Sequence, residues 1–314
     1  MAETNITVSD PIRAFDDLRD GQAAPLRTGI IHPVNDRSLK AAIMAANIDL
    51  IDPVLIGPLA RIKLAAEQAE LDLSSVEMVD APHSHAAAEI GVGMAVSGEV
   101  NALMKGALHT NELMAATLNG PTDLRTDRRM SHVFVMRTNA YPKWLMISDG
   151  ALNIAPDLTA KKWIVQNAID LARAIGIASP RVAILSATEE VDPAIPSTLD
   201  AAALCKMADR GQITGGRLDG PLAFDLAVST DAVAAKGLTS DVAGAADILI
   251  VPNLEGGNML AKQLDYLAGA AAAGIVLGAS VPIILNSRSD SVDERVASCA
   301  LALRYHAWRV KTGT

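Results

Sequence analysis

Residues 103–136 read LMKGALHTNELMAATLNGPTDLRTDRRMSHVFVM, and this stretch indicates how the chain folds. An apolar run that ends at Lys105-Gly106 has the character of a buried strand, and a helix-forming segment with Thr110 at its start follows it. After a turn-prone, cationic loop, a second apolar run begins at Ser131. A strand, a helix and a second strand in this order form the unit from which α/β sheets are built.

The same alternation continues along almost the whole chain. Several predicted strands are continuous apolar runs, which is typical of parallel strands buried on both faces. The predicted strands are residues 29–33, 53–56, 76–79, 102–105, 132–136, 144–148, 182–186, 247–251, 274–277 and 282–285. The predicted helices include residues 38–46, 59–69, 112–117, 160–175, 197–208, 259–267 and 292–305. The sequence therefore predicts an α/β fold with mostly parallel sheets.

Length and composition agree with a large packed core. A chain of 314 residues exceeds the size at which a single core usually divides, so two domains are expected. Half of the residues are apolar and only 3% are aromatic, which is typical of folded α/β proteins and not of disordered ones. No linker marks a domain boundary, and residues 136–144 are the best candidate for the passage between domains.

The charge and the cysteines limit the possible partners and location. A formal charge of −9 disfavours nucleic acid and anionic membranes, because the summed field repels polyanions. Cys205 and Cys299 lie in apolar, alanine-rich stretches, so reduced core thiols and a cytoplasmic location are expected. The first 25 residues lack the apolar segment of a secretory signal, and no apolar run is long enough to cross a bilayer. We therefore expect small-molecule partners.

A local concentration of cations points to an anion site. Between Lys105 and Lys143 there are six basic and three acidic residues, a local excess of +3 (6 − 3) in an acidic chain. Arg128 and Arg129 precede a predicted strand, and guanidinium groups bind phosphate through paired hydrogen bonds, which the hydroxyl of Ser131 would supplement. The alternative interpretation of these arginines is a solvated charged loop.

Three further residues lie where α/β proteins bind ligands. Lys105 ends an apolar strand, and ligands bind beyond the carboxyl ends of parallel strands. His109 and Thr110 follow at a helix N-terminus, where free backbone N–H groups favour an anion. Thr110 also has a purely structural interpretation as a helix cap.

A second polar group lies far away in sequence. The apolar run before Asn286 leads into Ser287-Arg288-Ser289-Asp290-Ser291, and Asp293 and Glu294 then begin a helix. A hydroxyl, a guanidinium and carboxylates at the end of a strand are the groups that phosphoryl or acyl transfer requires. Acidic residues at a helix start also stabilise the helix dipole, which is the structural alternative.

The common catalytic and nucleotide-binding motifs are absent from the sequence. There is no Walker loop, GxSxG, CxxC or HExxH motif. His83 and His85 lack a carboxylate or cysteine at metal-ligand spacing, so we interpret them as a solvated helix start and expect no metal site.

The chain resembles the phosphate acetyltransferase/phosphate butyryltransferase family from about Gly29 to the last helix. Six collinear segments carry the resemblance: MKGALHT (104–110), RRMSHVFVM (128–136), SDGALNIAPDL (148–158), DGPLAFD (219–225), VAGAADILIVPNLEGGNMLAKQL (242–264) and NSRSDS (286–291).

The resemblance implies a reaction and an architecture. The reaction is acyl-CoA plus phosphate giving acyl phosphate plus CoA, with CoA as substrate and no metal or redox cofactor. The sequence does not determine the length of the acyl chain, and we favour acetyl over butyryl. The architecture is an isocitrate/isopropylmalate dehydrogenase-like pair of α/β domains with the active site in the cleft between them. Domain I would comprise residues 1–138 and 281–314, domain II residues 139–280, and the protein would be a homodimer.

The resemblance also assigns roles at the second polar group and leaves one role open. Ser287 and Arg288 match the pair that binds the CoA thiol and the phosphoryl group. Family acetyltransferases have an aspartate base seven residues after that serine, where this chain has Glu294. Asp290 and Asp293 are nearby, so the sequence does not decide which carboxylate acts as the base, and a non-catalytic CoA- or acyl-phosphate-binding protein stays an alternative.

Overall fold

The computed structural model describes residues 15–18, 23–119, 124–287 and 289–313. The strands of these ranges are β1 Leu26–Ile31, β2 Ile51–Gly57, β3 Glu77–Asp80, β4 Ala102–Lys105, β5 Ser131–Thr138, β6 Tyr141–Ser148, β7 Arg181–Leu185, β8 Arg217–Leu222, β9 Ile248–Ile250, β10 Ala271–Leu277 and β11 Ile283–Ile284. The helices are α1 Asp36–Asn47, α2 Leu59–Gln68, α3 Ser84–Ser97, α4 Thr110–Asn119, α5 Leu158–Ala174, α6 Pro196–Asp209, α7 Phe224–Val228, α8 Thr230–Lys236, α9 Leu254–Ala268 and α10 Val292–Thr312.

The chain divides into two compact units. We call Arg129–Ala272 the central unit, and Pro11–Arg128 together with Ala273–Thr314 the flanking unit. β5 therefore belongs to the central unit, although the expected boundary at residue 138 would have placed it in the other one.

The flanking unit has a mostly parallel sheet in the order β3-β2-β1-β4-β11-β10. Met104 of β4 pairs with Ile30 of β1 on one side and with Ile284 of β11 on the other, both in parallel. The pair β10–β11 is antiparallel. Because β1, β2, β4 and β11 run in the same direction, the residues that follow them emerge at the same edge of the sheet.

The central unit has a sheet in the order β5-β6-β9-β7-β8, in which only the pair β5–β6 is antiparallel among the described strands. Its core includes Ile147, Ala183 and Leu249, each 0% exposed. The α/β fold with mostly parallel sheets is thus confirmed.

Residues 136–144 do not connect two domains, so this prediction was wrong. Thr138 pairs with Tyr141 across a tight hairpin that joins β5 to β6. The Tyr141 hydroxyl donates to the carbonyl of Ala246 at 2.7 Å, which ties the hairpin to the rest of the central unit. Polar residues and a proline in this stretch reflect a turn within one unit.

Candidate active site

Lys105 ends β4 at the carboxyl edge of the flanking sheet and is 3% exposed. The next residue, Gly106, donates its N–H to the carbonyl of Ile31 at 2.9 Å. A Cβ on Gly106 would lie 2.4 Å from that carbonyl oxygen, so the close approach of the two strand ends requires glycine. The predicted position of Lys105 at a strand end is confirmed, and the turn after it is packed against the end of β1.

His109 and Thr110 lie at the start of α4. The carbonyl of His109 accepts hydrogen bonds from the N–H groups of Glu112 and Leu113, at 3.1 and 3.4 Å. The helix begins at Thr110 itself, so His109 is the residue that precedes it. The exposed His109 side chain is thereby placed at a helix N-terminus.

His32 follows β1 at the same edge and was not singled out from the sequence. It is 5% exposed, has a backbone φ of 54° and has no described hydrogen-bond partner for its Nδ1. Burial lowers the pKa of the His32 imidazole, Arg61 lowers it further, and Glu112 opposes the shift. Burial therefore disfavours the charged form of this imidazole in the folded protein.

The turn after β11 places Ser287 and Asp290 together. The Ser287 N–H donates to Asp290 Oδ2 at 2.7 Å, and Asn286 Nδ2 donates to the same oxygen at 3.3 Å. The hydroxyl oxygens of Ser287 and Ser289 lie 3.1 Å apart. Arg288 lies outside the described residues. The carboxylate of Asp290 therefore organises this turn.

Glu294 has a structural task at the start of α10. Its Oε2 accepts from the N–H and the hydroxyl of Ser291, at 2.7 and 2.9 Å, while the Glu294 N–H donates to the Ser291 hydroxyl at 3.2 Å. This reciprocal arrangement is a capping box. The helix-start interpretation of this acid is thus confirmed, which leaves its catalytic role as a separate prediction.

Arg295 is part of this turn and was missed from the sequence. Its Nη2 donates to the carbonyl of Ser287 at 2.6 Å, although the residue is only 4% exposed. Burial lowers the pKa of its guanidinium, and Asp290 opposes that shift. The available signal was a basic residue among the acids at a helix start, where a cation is unfavourable.

In the central unit, Arg129 is held by a buried polar group. Arg129 Nε donates to Asn153 Oδ1 at 2.8 Å, and Asn153 Nδ2 donates in turn to Asp149 Oδ2 at 2.5 Å. Asp149 also accepts from the N–H groups of Ala151 and Leu152, at 2.9 and 3.0 Å. Asp149 and Asn153 lie in the SDGALN segment and had been assigned no role from the sequence.

Arg129 also borders a cleft within the central unit. The cleft has a volume of about 350 Å³ and is lined by Arg129, Ala160 and residues 152–157. The first helical turn of α5 contributes to it, and its N-cap Asp157 accepts from the N–H of Ala160 at 2.7 Å. A guanidinium beside a helix start is an arrangement that suits an anion.

Ser131 is 0% exposed, and its hydroxyl accepts from Asn167 Nδ2 at 2.9 Å. This contact joins β5 to α5, and the predicted contribution of Ser131 to anion binding stays a prediction. Arg128 belongs to the flanking unit, where its N–H donates to the hydroxyl of Thr126 at 3.0 Å. Phosphate binding by Arg128 and Arg129 stays a prediction.

Both cysteines are free thiols of low reactivity. Burial raises the pKa of Cys205 and of Cys299 to about 12. A thiol with so high a pKa is protonated at neutral pH and is a poor nucleophile.

The described part of the chain contains neither a grouped set of metal ligands nor a helix that could cross a membrane. Among these residues no three His, Cys, Asp or Glu side chains are grouped closely enough to hold a metal ion. None of the described helices is long and apolar enough to span a membrane.

Comparison with known proteins identifies the family. A model of the family described as "Phosphate acetyl/butaryl transferase" matches residues 84–303. The phosphate acetyltransferase of Rhizobium meliloti is 57% identical over 286 residues, which cover 91% of this chain and 90% of that protein. The phosphate butyryltransferase of Clostridium acetobutylicum is 41% identical over 264 residues, 84% of this chain and 88% of that protein.

The fold agrees with this assignment. A branched-chain phosphotransacylase from Enterococcus faecalis V583 superposes with a TM-score of 0.78 at 28% identity, covering 90% of this chain and 99% of that one. The protein described above is therefore an acyltransferase that belongs to the phosphate acetyl/butyryl transferase family.

Proposed function

We propose that this protein is a phosphate acetyltransferase, which transfers an acetyl group reversibly between CoA and inorganic phosphate. The observation that carries the proposal is the 57% identity to the Rhizobium meliloti phosphate acetyltransferase over 91% of this chain. The identity to the phosphate butyryltransferase of Clostridium acetobutylicum is lower, 41% over 84% of the chain. That second similarity makes butyryl transfer by the same chemistry the alternative.

The proposed reaction is a direct displacement at the acyl carbonyl. The sulfur of CoA attacks the carbonyl carbon of acetyl phosphate and forms a C–S bond. The bond between that carbon and the oxygen that carries the phosphorus breaks, and phosphate leaves with this oxygen and the bonding pair. The thiol proton passes to a carboxylate of the protein. Because a free thiol has a pKa of about 8.5, only a few per cent of it is thiolate at neutral pH, so a base is useful.

We assign the acyl-transfer roles to the turn after β11. Ser287 and Arg288 would contact the thiol and the phosphoryl group, and Glu294, seven residues after Ser287, would accept the proton. Asp290 would hold the turn, because its carboxylate already accepts the Ser287 N–H at 2.7 Å. The capping box supports this division by fixing where the Glu294 carboxylate lies.

We assign phosphate binding to the cations. Arg129, with its Nε on Asn153 and its position beside the cleft of the central unit, would hold the phosphoryl oxygens. Arg128, Lys105, His109 and Thr110, which belong to the flanking unit, would also bind phosphate groups of the substrates. Positive groups fixed in advance would stabilise the charge that grows on phosphate as it leaves.

Direct transfer between two bound substrates is preferred to an acyl-cysteine intermediate. The high pKa of Cys205 and of Cys299, about 12 for each thiol, makes both poor nucleophiles. Bringing both substrates together would supply much of the rate acceleration. We propose that the reaction uses no metal or nicotinamide cofactor, and that the protein acts as a cytoplasmic homodimer.

The proposal is tested with the purified protein, acetyl-CoA and phosphate in the presence of a chelator and without NAD. Formation of acetyl phosphate together with free CoA is the expected result. Propionyl-CoA and butyryl-CoA in parallel assays distinguish the acetyl from the butyryl assignment by their kcat/KM values. Binding of CoA without any turnover would contradict the proposed enzymatic activity and support the non-catalytic binding protein instead.

A further inference from the structure

Arg295 occupies a position at which a charged residue is unfavourable. It is the fourth residue of α10 and 4% exposed, so the positive end of the helix dipole and the loss of water both act against its charge. Its Nε and Nη1 have no hydrogen-bond partner in the described part of the chain. An apolar side chain of similar size would pack at this position at lower cost.

The guanidinium of Arg295 donates from Nη2 to the carbonyl of Ser287 at 2.6 Å. The N–H of the same residue is held by Asp290 Oδ2 at 2.7 Å. Both backbone polar groups of Ser287 are thus bound by side chains of opposite charge. Because both groups are held, the backbone of Ser287 has a fixed orientation, and this fixes the direction in which its side chain leaves the turn.

Charges around the guanidinium favour this placement only in part. Asp290 and Glu294 favour its protonated form, whereas Arg37 and burial disfavour it. Asp290, which accepts the Ser287 N–H, is therefore the group that most favours the charged form of Arg295.

We infer that Arg295 is a positioning residue of the acyl-transfer site, which fixes the backbone of Ser287 so that the Ser287 side chain faces the reacting groups. The inference rests on the proposed function, because the turn matters for rate only if transfer occurs there. Arg295 itself does not contact the substrates. The unfavourable burial of a charged residue at this helix start is explained by the hydrogen bond through which Arg295 holds the turn.

Three variants test this role: Arg295→Met, Arg295→Lys and Arg295→Ala. Displacement of reacting groups by about an ångström slows enzymes by up to about a hundredfold, so we expect kcat for acetyl-CoA formation to fall by about 10- to 100-fold in the Met and Ala variants. Arg295→Lys keeps the positive charge but not the planar guanidinium, so its kcat should lie between those of the Met and Ala variants and that of the wild type. The KM values for CoA and acetyl phosphate should change by less than about threefold, because ground-state binding is preserved.

Thermal unfolding is measured on the same preparations, and rates are expressed per folded enzyme. We expect Arg295→Met to unfold at the same or a higher temperature than the wild type, because replacing buried charge by an apolar group is often neutral or stabilising. Addition of guanidinium at millimolar concentration should restore part of the kcat of Arg295→Ala, whereas methylammonium should not. If Arg295 served stability alone, Arg295→Met would unfold at a lower temperature and guanidinium would not restore the kcat of Arg295→Ala.

Arg304→Met is the matched control. Arg304 lies on the same helix and also donates to a backbone carbonyl, that of Leu18 at 2.9 Å, and it belongs to no part of the proposed site. Its loss should alter stability and leave kcat unchanged. Normal kcat in folded Arg295→Met or Arg295→Lys, with an active wild type, would overturn the inference alone. An inactive wild type would overturn the proposed function and the inference together.

Discussion

Glu294 accepts hydrogen bonds from both the backbone N–H and the hydroxyl of Ser291, at 2.7 and 2.9 Å. The acid that the family resemblance places at the base position is therefore also part of the start of α10. Its proton-accepting role and its capping role are separable, because glutamine serves in a capping box as well as glutamate does.

Glu294→Gln should lower kcat by at least about a hundredfold, because a general base contributes about 10²- to 10⁴-fold to the rate. Its melting temperature should stay close to that of the wild type, since the amide keeps the capping box. Steady-state rates and thermal unfolding, measured side by side, check both statements. Asp290→Asn, which keeps an acceptor for the Ser287 N–H, is the matched variant and should lose less activity; the reverse order would assign the base to Asp290.

Arg129→Met should raise the KM for acetyl phosphate by about tenfold, the scale of one lost hydrogen bond to a charged group. The guanidinium would be absent from the cleft, and Asn153 would lose its donor. Arg217→Met is the control in the same unit, because Arg217 pairs with Asp241 only at 3.6 Å on the exposed surface. Equal KM values in both variants would remove Arg129 from the phosphate site.

The Cys205→Ala and Cys299→Ala variants should each retain kcat within about twofold, because a protonated thiol with a pKa of about 12 does not form the acyl bond. Intact-protein mass spectrometry after mixing with acetyl phosphate alone should find no added acetyl group on the wild type. A stable adduct that disappears in one of these variants would establish an acyl-enzyme route.

The free energy of unfolding should fall as the pH drops below about 6.5, and His32 contributes to this fall. Its pKa is lowered in the folded protein, so between the unfolded value of about 6.5 and the lower folded value the unfolded chain binds more protons, and acid favours unfolding. His32→Asn should flatten the dependence, since asparagine also tolerates a positive φ. Urea unfolding from pH 5 to 8 measures this pH dependence of the free energy of unfolding. His85→Asn, which replaces an exposed histidine, is the control and should keep the wild-type slope.

The fold was predictable where strands are apolar on both faces. β4 was placed at its observed bounds, Ala102–Lys105, and each of the other predicted strands overlaps an observed one. β8 was missed because its sequence, RLDGPL, contains a glycine and a proline, and proline is tolerated there because β8 pairs only with β7 at the edge of the sheet. The short helices α7 and α8 were missed because they cover five and seven residues, too few for a clear period.

The polar turn of the candidate site could be recognised in the sequence, whereas the side chains that hold this turn and Arg129 in place could not. Ser287 and Asp290 follow a strand in an obvious polar turn, so their type and place identified them. The only sequence signal for Arg295 is a cation among acids at a helix start, and its role becomes visible through its 4% exposure and its contact with the Ser287 carbonyl. Asp149 and Asn153 act through a bent loop whose hydrogen bonds depend on tertiary structure, and no periodic pattern marks them.

The initial rate of acetyl-CoA formation from acetyl phosphate and CoA, with a chelator present and NAD omitted, tests the central claim most directly. The account predicts thioester formation that saturates with both substrates and releases one phosphate for each acetyl group transferred. Purified, folded protein that forms no thioester from acetyl, propionyl or butyryl phosphate under these conditions would contradict it.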